Sequence, residues 1–168
     1  MNAFDGVLTI TGVLTGSYIA QVRRAPIVIF TGLSTCIAMG VSGLWGAYLT
    51  ESAERKRDLD ELQNCTLTDL SNTKIGQASR MAVVIVALVD GLAPFLAALV
   101  VLLPFFFSSL LADITISYYI SLGMALAALF ALGAFLGRVS KSNLVIAGLK
   151  MVAAGVASIL LSYLLAKI

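Results

Sequence analysis

The stretch Met81-Ala-Val-Val-Ile-Val-Ala-Leu-Val-Asp90-Gly91-Leu-Ala-Pro94-Phe-Leu-Ala-Ala-Leu-Val-Val-Leu-Leu-Pro104-Phe-Phe-Phe107 decides the fold. Asp90 is its one ionisable group between Arg80 and Asp113. About 20 apolar residues cross the roughly 30 Å hydrocarbon core of a bilayer at about 1.5 Å each, so 81–107 is long enough to span it. A second such run carries no charge from Ala25 to Thr50. Working outward, the spacing predicts an all-α, polytopic membrane protein, a single membrane domain over 1–168 with five spans at about 5–22, 25–50, 81–107, 114–137 and 143–166. The first is the least apolar, because Thr9, Thr11, Thr15, Ser17 and Gln21 lie within it. A signal peptide would place Lys or Arg ahead of the run, whereas Arg23 and Arg24 follow it and Asp5 precedes it.

Composition agrees with the bilayer as solvent. The chain has 168 residues, 60% hydrophobic and 12% charged, with a mean hydropathy of +1.00, too few charges to coat a soluble domain of this size. A net charge of +2 offers nucleic acid no basic surface. There is no histidine, which removes the commonest metal ligand and near-neutral acid–base group. No nucleophile with a plausible base and no cofactor motif appears, so neither an enzyme nor a resident cofactor is expected. Cys36 and Cys65, one apolar and one polar in setting, are read as unpaired.

Five spans put the termini on opposite sides. Eight of the eleven Lys and Arg fall on one side (Arg55, Lys56, Arg57, Lys74, Arg80, Arg138, Lys141, Lys150) against Arg23, Arg24 and Lys167 on the other. The positive-inside bias then makes the N-terminus and the connector 51–80 cytosolic and the C-terminus external. Small residues recur at helical spacing, Gly12 and Gly16, Gly40, Gly43 and Gly46, Gly133 and Gly137, Gly148 and Gly155, which predicts a small-residue-rich bundle with close backbone approaches.

The connector continues the second span as a helix. Glu51, Glu54, Asp58 and Glu61 fall within an arc of roughly 80°, a carboxylate ridge able to draw cations. The same residues also read as a solvated face laced by Glu51–Arg55 and Arg57–Glu61 pairs. Past Leu62, with Asn64, Ser71, Asn72 and Gly76 as breakers, a loop with at most one short helix is expected up to Arg80.

Asp90 is the sharpest candidate for chemistry. Ten residues from Arg80 put it about 15 Å into the span, where an ionisable group is costly and faces a cavity or partner. Pro94 cannot donate to the Asp90 carbonyl, so one residue offers a carboxylate and a freed carbonyl to a cation or proton. A protonated Asp that only packs helices together is the competing reading. Asp5 is a first-turn acid whose Asp5-Gly6-Val7-Leu8 is echoed by Asp90-Gly91-Leu92-Ala93. Met39, three residues from Cys36, is a possible soft metal ligand, though thioethers also pack cores.

These features resemble the vacuolar iron transporter family. Asp5-Gly6-Val7-Leu8-Thr9 looks like its first helix, and Ser42-Gly43-Leu44-Trp45-Gly46-Ala47-Tyr48-Leu49 with Ser52-Ala53-Glu54 the end of its second. Leu103-Pro104-Phe105, Leu132-Gly133 to Gly137-Arg138, and Gly148, Met151, Gly155 and Tyr163 resemble the rest in order. The resemblance implies a multi-pass homodimer in the cell membrane if prokaryotic, moving Fe²⁺ or Mn²⁺ out of the cytoplasm in exchange for protons, with the family's intramembrane aspartate at Asp5. The family's second-helix glutamate and methionine fall near Thr35 and Gly43. Glu61-Leu62 matches the cytosolic insert, whose next acids fall near Cys65 and Thr68. A divalent-metal exporter using Asp5, Asp90, Met39 and the ridge is therefore expected, beside two rivals: a non-transporting membrane scaffold of the same fold, and a proton-coupled exporter of organic cations that uses Asp90 with Trp45 and Tyr48.

Overall fold

The computed structural model describes residues 2–67, 69, 73–108 and 113–166. Ser71, Asn72, Thr68 and Lys167, all used in the reading above, lie outside them. Among the described residues the chain forms five helices and no strand: α1 (Asn2–Ile19), α2 (Ala25–Thr66), α3 (Lys74–Phe106), α4 (Ile114–Val139) and α5 (Leu144–Leu165).

The helix ends follow local chemistry. α1 closes on Gln21 at φ 54 with Val22 N–H donating to the Ser17 carbonyl, and α4 closes likewise on Lys141 at φ 53 with Ser142 N–H donating to the Gly137 carbonyl. Both are Schellman-type ends. Pro26 begins α2 where its missing N–H costs nothing. Asp113 and Asn143 cap α4 and α5, accepting from the N–H groups of Thr115 and Val145 at 3.1 Å each. The Thr115 amide and hydroxyl together hold the Asp113 carboxyl below its ordinary pKa.

Two lengths differ from expectation. Residues 63–66 and 74–80 extend the two long helices: α2 runs unbroken to Thr66 and α3 starts at Lys74, with Asn64 and Gly76 inside helices. Gly76 is buried, so the first turns of α3 lean on the extension of α2, and packing overrides weak local propensity.

α2, α3, α4 and α5 are long and apolar enough to cross a membrane. α1 is not among them, and its packing explains why it is less apolar: it touches all four other helices. Val7, Ile10 and Leu14 are fully buried against Ala98, Val101, Leu102 and Phe105 of α3 and Tyr118 and Leu129 of α4. Its buried hydroxyls need no outside partner, because Thr11 donates to the Val7 carbonyl at 2.6 Å and Thr15 to that of Thr11 at 2.8 Å. The outer surface is the apolar one, with Phe30, Trp45, Met81, Phe135 and Leu165 all exposed, the inverse of a soluble domain.

The expected glycine contacts divide in two. A Cβ on Gly133 would lie 2.6 Å from the Ala147 carbonyl oxygen, and one on Gly43 would lie 2.8 Å from that of Asp90. Gly12, Gly16 and Gly46 meet nothing within 4 Å.

Candidate functional site

Asp5 of α1, Met39 of α2 and Asp90 of α3 line one open cleft of about 460 Å³, walled also by Asn2, Thr9, Ser42 and Pro94. Helix crossing makes this convergence. α1 and α3 run the same way and meet at Gly6, where a Cβ would lie 2.5 Å from the Pro94 carbonyl oxygen. α2 crosses α3 from another side, where Gly43 approaches Asp90 and a Cβ on Gly91 would lie 2.8 Å from the Gly40 carbonyl oxygen. Two backbones thus press on a single turn of α3, and a side chain at Gly6, Gly43 or Gly91 would hold them apart.

The carbonyl of Asp90, expected to be free because of Pro94, is instead held by the protein. The side-chain amide of Asn2 donates to it at 3.4 Å, and Gly43 closes over the same oxygen. What remains for a ligand is the carboxylate. Asp5 is exposed and Asp90 partly buried; among the described residues neither carboxylate has an ion-pair or hydrogen-bond partner. Unpaired acids from two helices, with a thioether beside them, form a small electronegative recess that a cation or a proton would neutralise.

The recess is sparse in donors. The described residues hold no group of three or more His, Cys, Asp or Glu side chains gathered to bind a metal. Cys36, one turn from Met39, is buried and unpaired and does not reach the cleft. The Thr35 hydroxyl is spent on the Thr31 carbonyl at 2.8 Å. Gly43 has no side chain to offer, since the close approach to Asp90 occupies its place.

The carboxylate ridge stands apart from the cleft. Glu51 is twelve residues from Met39, about 18 Å along α2. Both ion pairs expected of a solvated face are present: the Nε of Arg55 meets Glu51 at 3.2 Å and that of Arg57 meets Glu61 at 3.2 Å. Glu54 and Asp58 are exposed and, among the described residues, unpaired.

Sequence reasoning missed Asn2, Thr9 and Ser42 as wall residues. Helical spacing carried a signal: Asn2 and Thr9 flank Asp5 at three and four residues, and Ser42 follows Met39 by three.

A family model described as the VIT family matches residues 61–167. An uncharacterized protein of Methanocaldococcus jannaschii is 32% identical over 166 residues, covering 97% of this chain and 84% of its own length. No solved structure matches the chain. The family match begins in the last turns of α2 and leaves Asp5 and Met39 outside it, whereas the archaeal alignment takes in nearly the whole chain. With its membrane-length apolar helices, the chain is an integral, multi-pass membrane protein that belongs to the VIT family.

Proposed function

We propose that this protein exports a divalent metal ion, Fe²⁺ or Mn²⁺, from the cytoplasm in exchange for protons, and that it works as a homodimer. The observation that carries this is the meeting of Asp5, Asp90 and Met39 on one open cleft. Two carboxylates and a thioether suit Fe²⁺ and Mn²⁺ better than Cu⁺, which prefers an all-sulfur set. A carboxylate must lose its proton to hold metal. One site occupied alternately by metal and by protons therefore couples their opposite movements. The metal is cargo, and the chain performs no catalysis and keeps no resident cofactor.

In this reading α1 is the fifth span, packed against all four other helices and leaving one exposed stripe, with the N-terminus cytosolic and the C-terminus external, as the Lys and Arg distribution favours. Trp45 and Tyr48, exposed and with ring centroids 6.3 Å apart, have the character of an interfacial aromatic belt. Tyr48 is five residues from Gly43, the point that meets Asp90, so counted from the belt Asp90 lies only about 7 Å inside. The cleft is then a cytoplasmic mouth rather than a midplane chamber, and the ridge from Glu51 to Glu61 stands beyond it, where it raises the local cation concentration.

Dimerisation answers the shortage of donors. Mn²⁺ and Fe²⁺ as hard ions favour about six ligands, mostly oxygen, more than one cleft supplies. Asp5, Thr9 and Gly16 form an exposed polar and small stripe on α1. A second copy laid on that stripe doubles the carboxylates and removes Asp5 from lipid.

The test is uptake of Mn²⁺ or Fe²⁺ into proteoliposomes under an imposed proton gradient. Transport should fall at least roughly tenfold in Asp5→Asn and in Asp90→Asn, the loss expected when a required ligand is removed. Wild-type rates in both variants would remove the assignment.

A further inference from the structure

A group of positive charges lines a different cavity. It measures about 490 Å³ and opens between the extension of α2 and the first turns of α3. Its wall carries three cations, Arg55, Lys56 and Arg80, the hydroxyls of Ser52 and Ser79, and one acid, Asp60. The room exists because small residues face each other there: Ser52 on one helix, Ser79 and the buried Gly76 on the other.

The cations are available to a ligand. Arg55 spends its Nε on Glu51 at 3.2 Å and keeps its two terminal nitrogens. Lys56 and Arg80 are exposed and, among the described residues, form no ion pair. The cavity also sits at a definite level. Tyr48, one of the two belt aromatics, and the apolar Val83 and Val84 line its walls along with the charged groups. A recess that begins at the aromatic belt and continues into the charged extensions lies where lipid headgroups are.

We propose that this cavity binds a phosphate group, held by Arg80, Lys56 and Arg55 with Ser52 and Ser79 as hydroxyl donors. Asp60 serves as an acceptor for a neighbouring hydroxyl, which matches a glycerol phosphate better than a multiply charged anion. Two sources carry that chemistry: the headgroup of an anionic lipid, and a soluble phosphate ester from the cytoplasm. The proposal rests on the membrane placement of the chain and is independent of what the cleft at Asp5 and Asp90 carries.

The experiment uses the purified full-length protein, with native mass spectrometry to read retained lipid and thermal shift to read stabilisation. The probes are phosphatidylglycerol, phosphatidylcholine, glycerol 3-phosphate and inorganic phosphate. Wild-type protein should retain phosphatidylglycerol, or be stabilised by glycerol 3-phosphate, and the Lys56→Gln/Arg80→Gln double variant should weaken that response roughly tenfold or more. Arg57→Gln, whose arginine pairs with Glu61 and does not line the cavity, should stay within about twofold of wild type. Selective retention of phosphatidylglycerol assigns the phosphate to lipid; stabilisation by glycerol 3-phosphate without lipid selectivity assigns it to a soluble ester. Equal responses in the double variant and wild type, an equal loss in Arg57→Gln, or no response to any probe would overturn the proposal.

Discussion

The junction of α1, α2 and α3 and the hairpin of α4 and α5 use the same device for different ends. Each brings helices to backbone contact through glycine: Gly6 on Pro94 and Gly43 on Asp90 in the first, Gly133 on Ala147 and Gly148 in the second. Around the hairpin the close neighbours are Phe130, Leu129 and Leu126, all apolar. Around the junction they include two unpaired carboxylates, a thioether and the amide of Asn2. Close approach alone therefore explains neither region's chemistry. It gives an apolar frame in one place and, in the other, brings acids from two helices to the wall of one cleft.

The largest expected effect separates the two regions directly. Gly6→Ala and Gly133→Ala each push a Cβ to within 2.5 Å and 2.6 Å of a backbone oxygen, and both should cost about 1–3 kcal/mol or more of stability. Only Gly6→Ala should also lower metal transport per folded molecule, measured by uptake normalised to protein recovered in the membrane. Equal transport losses would erase the contrast. In Gly148→Ala the nearest atoms to the new Cβ belong to the ring of Phe130, a side chain able to move, so its melting temperature should fall less than that of Gly133→Ala.

A smaller and opposite effect is expected on α4. The hydroxyls of Ser117 and Ser121 are fully buried and, among the described residues, lack a hydrogen-bond partner. An unsatisfied buried hydroxyl costs about 1–3 kcal/mol, so Ser121→Ala should be neutral or stabilising in thermal unfolding, with transport unchanged. The smallest effect belongs to Asp113. Its carboxyl is held below its ordinary pKa by Thr115, so the stability it contributes is complete above the unfolded value of about 4 and is lost as pH falls through the lower folded value. Asp113→Asn should flatten the fall in melting temperature in that acid window and lower the melting temperature slightly near neutrality, where the ionised cap contributes in full.

Much of this was legible in the sequence because it depends on spacing within one helix. The Glu51–Arg55 and Arg57–Glu61 pairs follow from residues four apart, and the disturbance of the Asp90 carbonyl follows from Pro94 four residues on. What spacing within one helix could not give was the partner. That Asn2 takes the carbonyl, and that Met39 joins Asp5 and Asp90 while Cys36 does not, depend on how three helices rotate against one another. The lower hydropathy of α1 has a related reason: a helix that touches four others has less surface left to turn outward. The connector misled because Asn64 and Gly76 are poor helix residues in isolation, and the support that keeps them helical comes from the opposite helix.

The most direct measurement is binding of Mn²⁺ to the purified protein in detergent, followed by electron paramagnetic resonance as free Mn²⁺ signal is lost. A site shared by both carboxylates should bind in the wild-type protein and lose most of its affinity in Asp5→Asn and in Asp90→Asn alike, while Glu54→Gln and Asp58→Gln bind normally. Undiminished binding in both aspartate variants, or no binding by the wild type, would contradict the shared site and return the protein to the status of a scaffold.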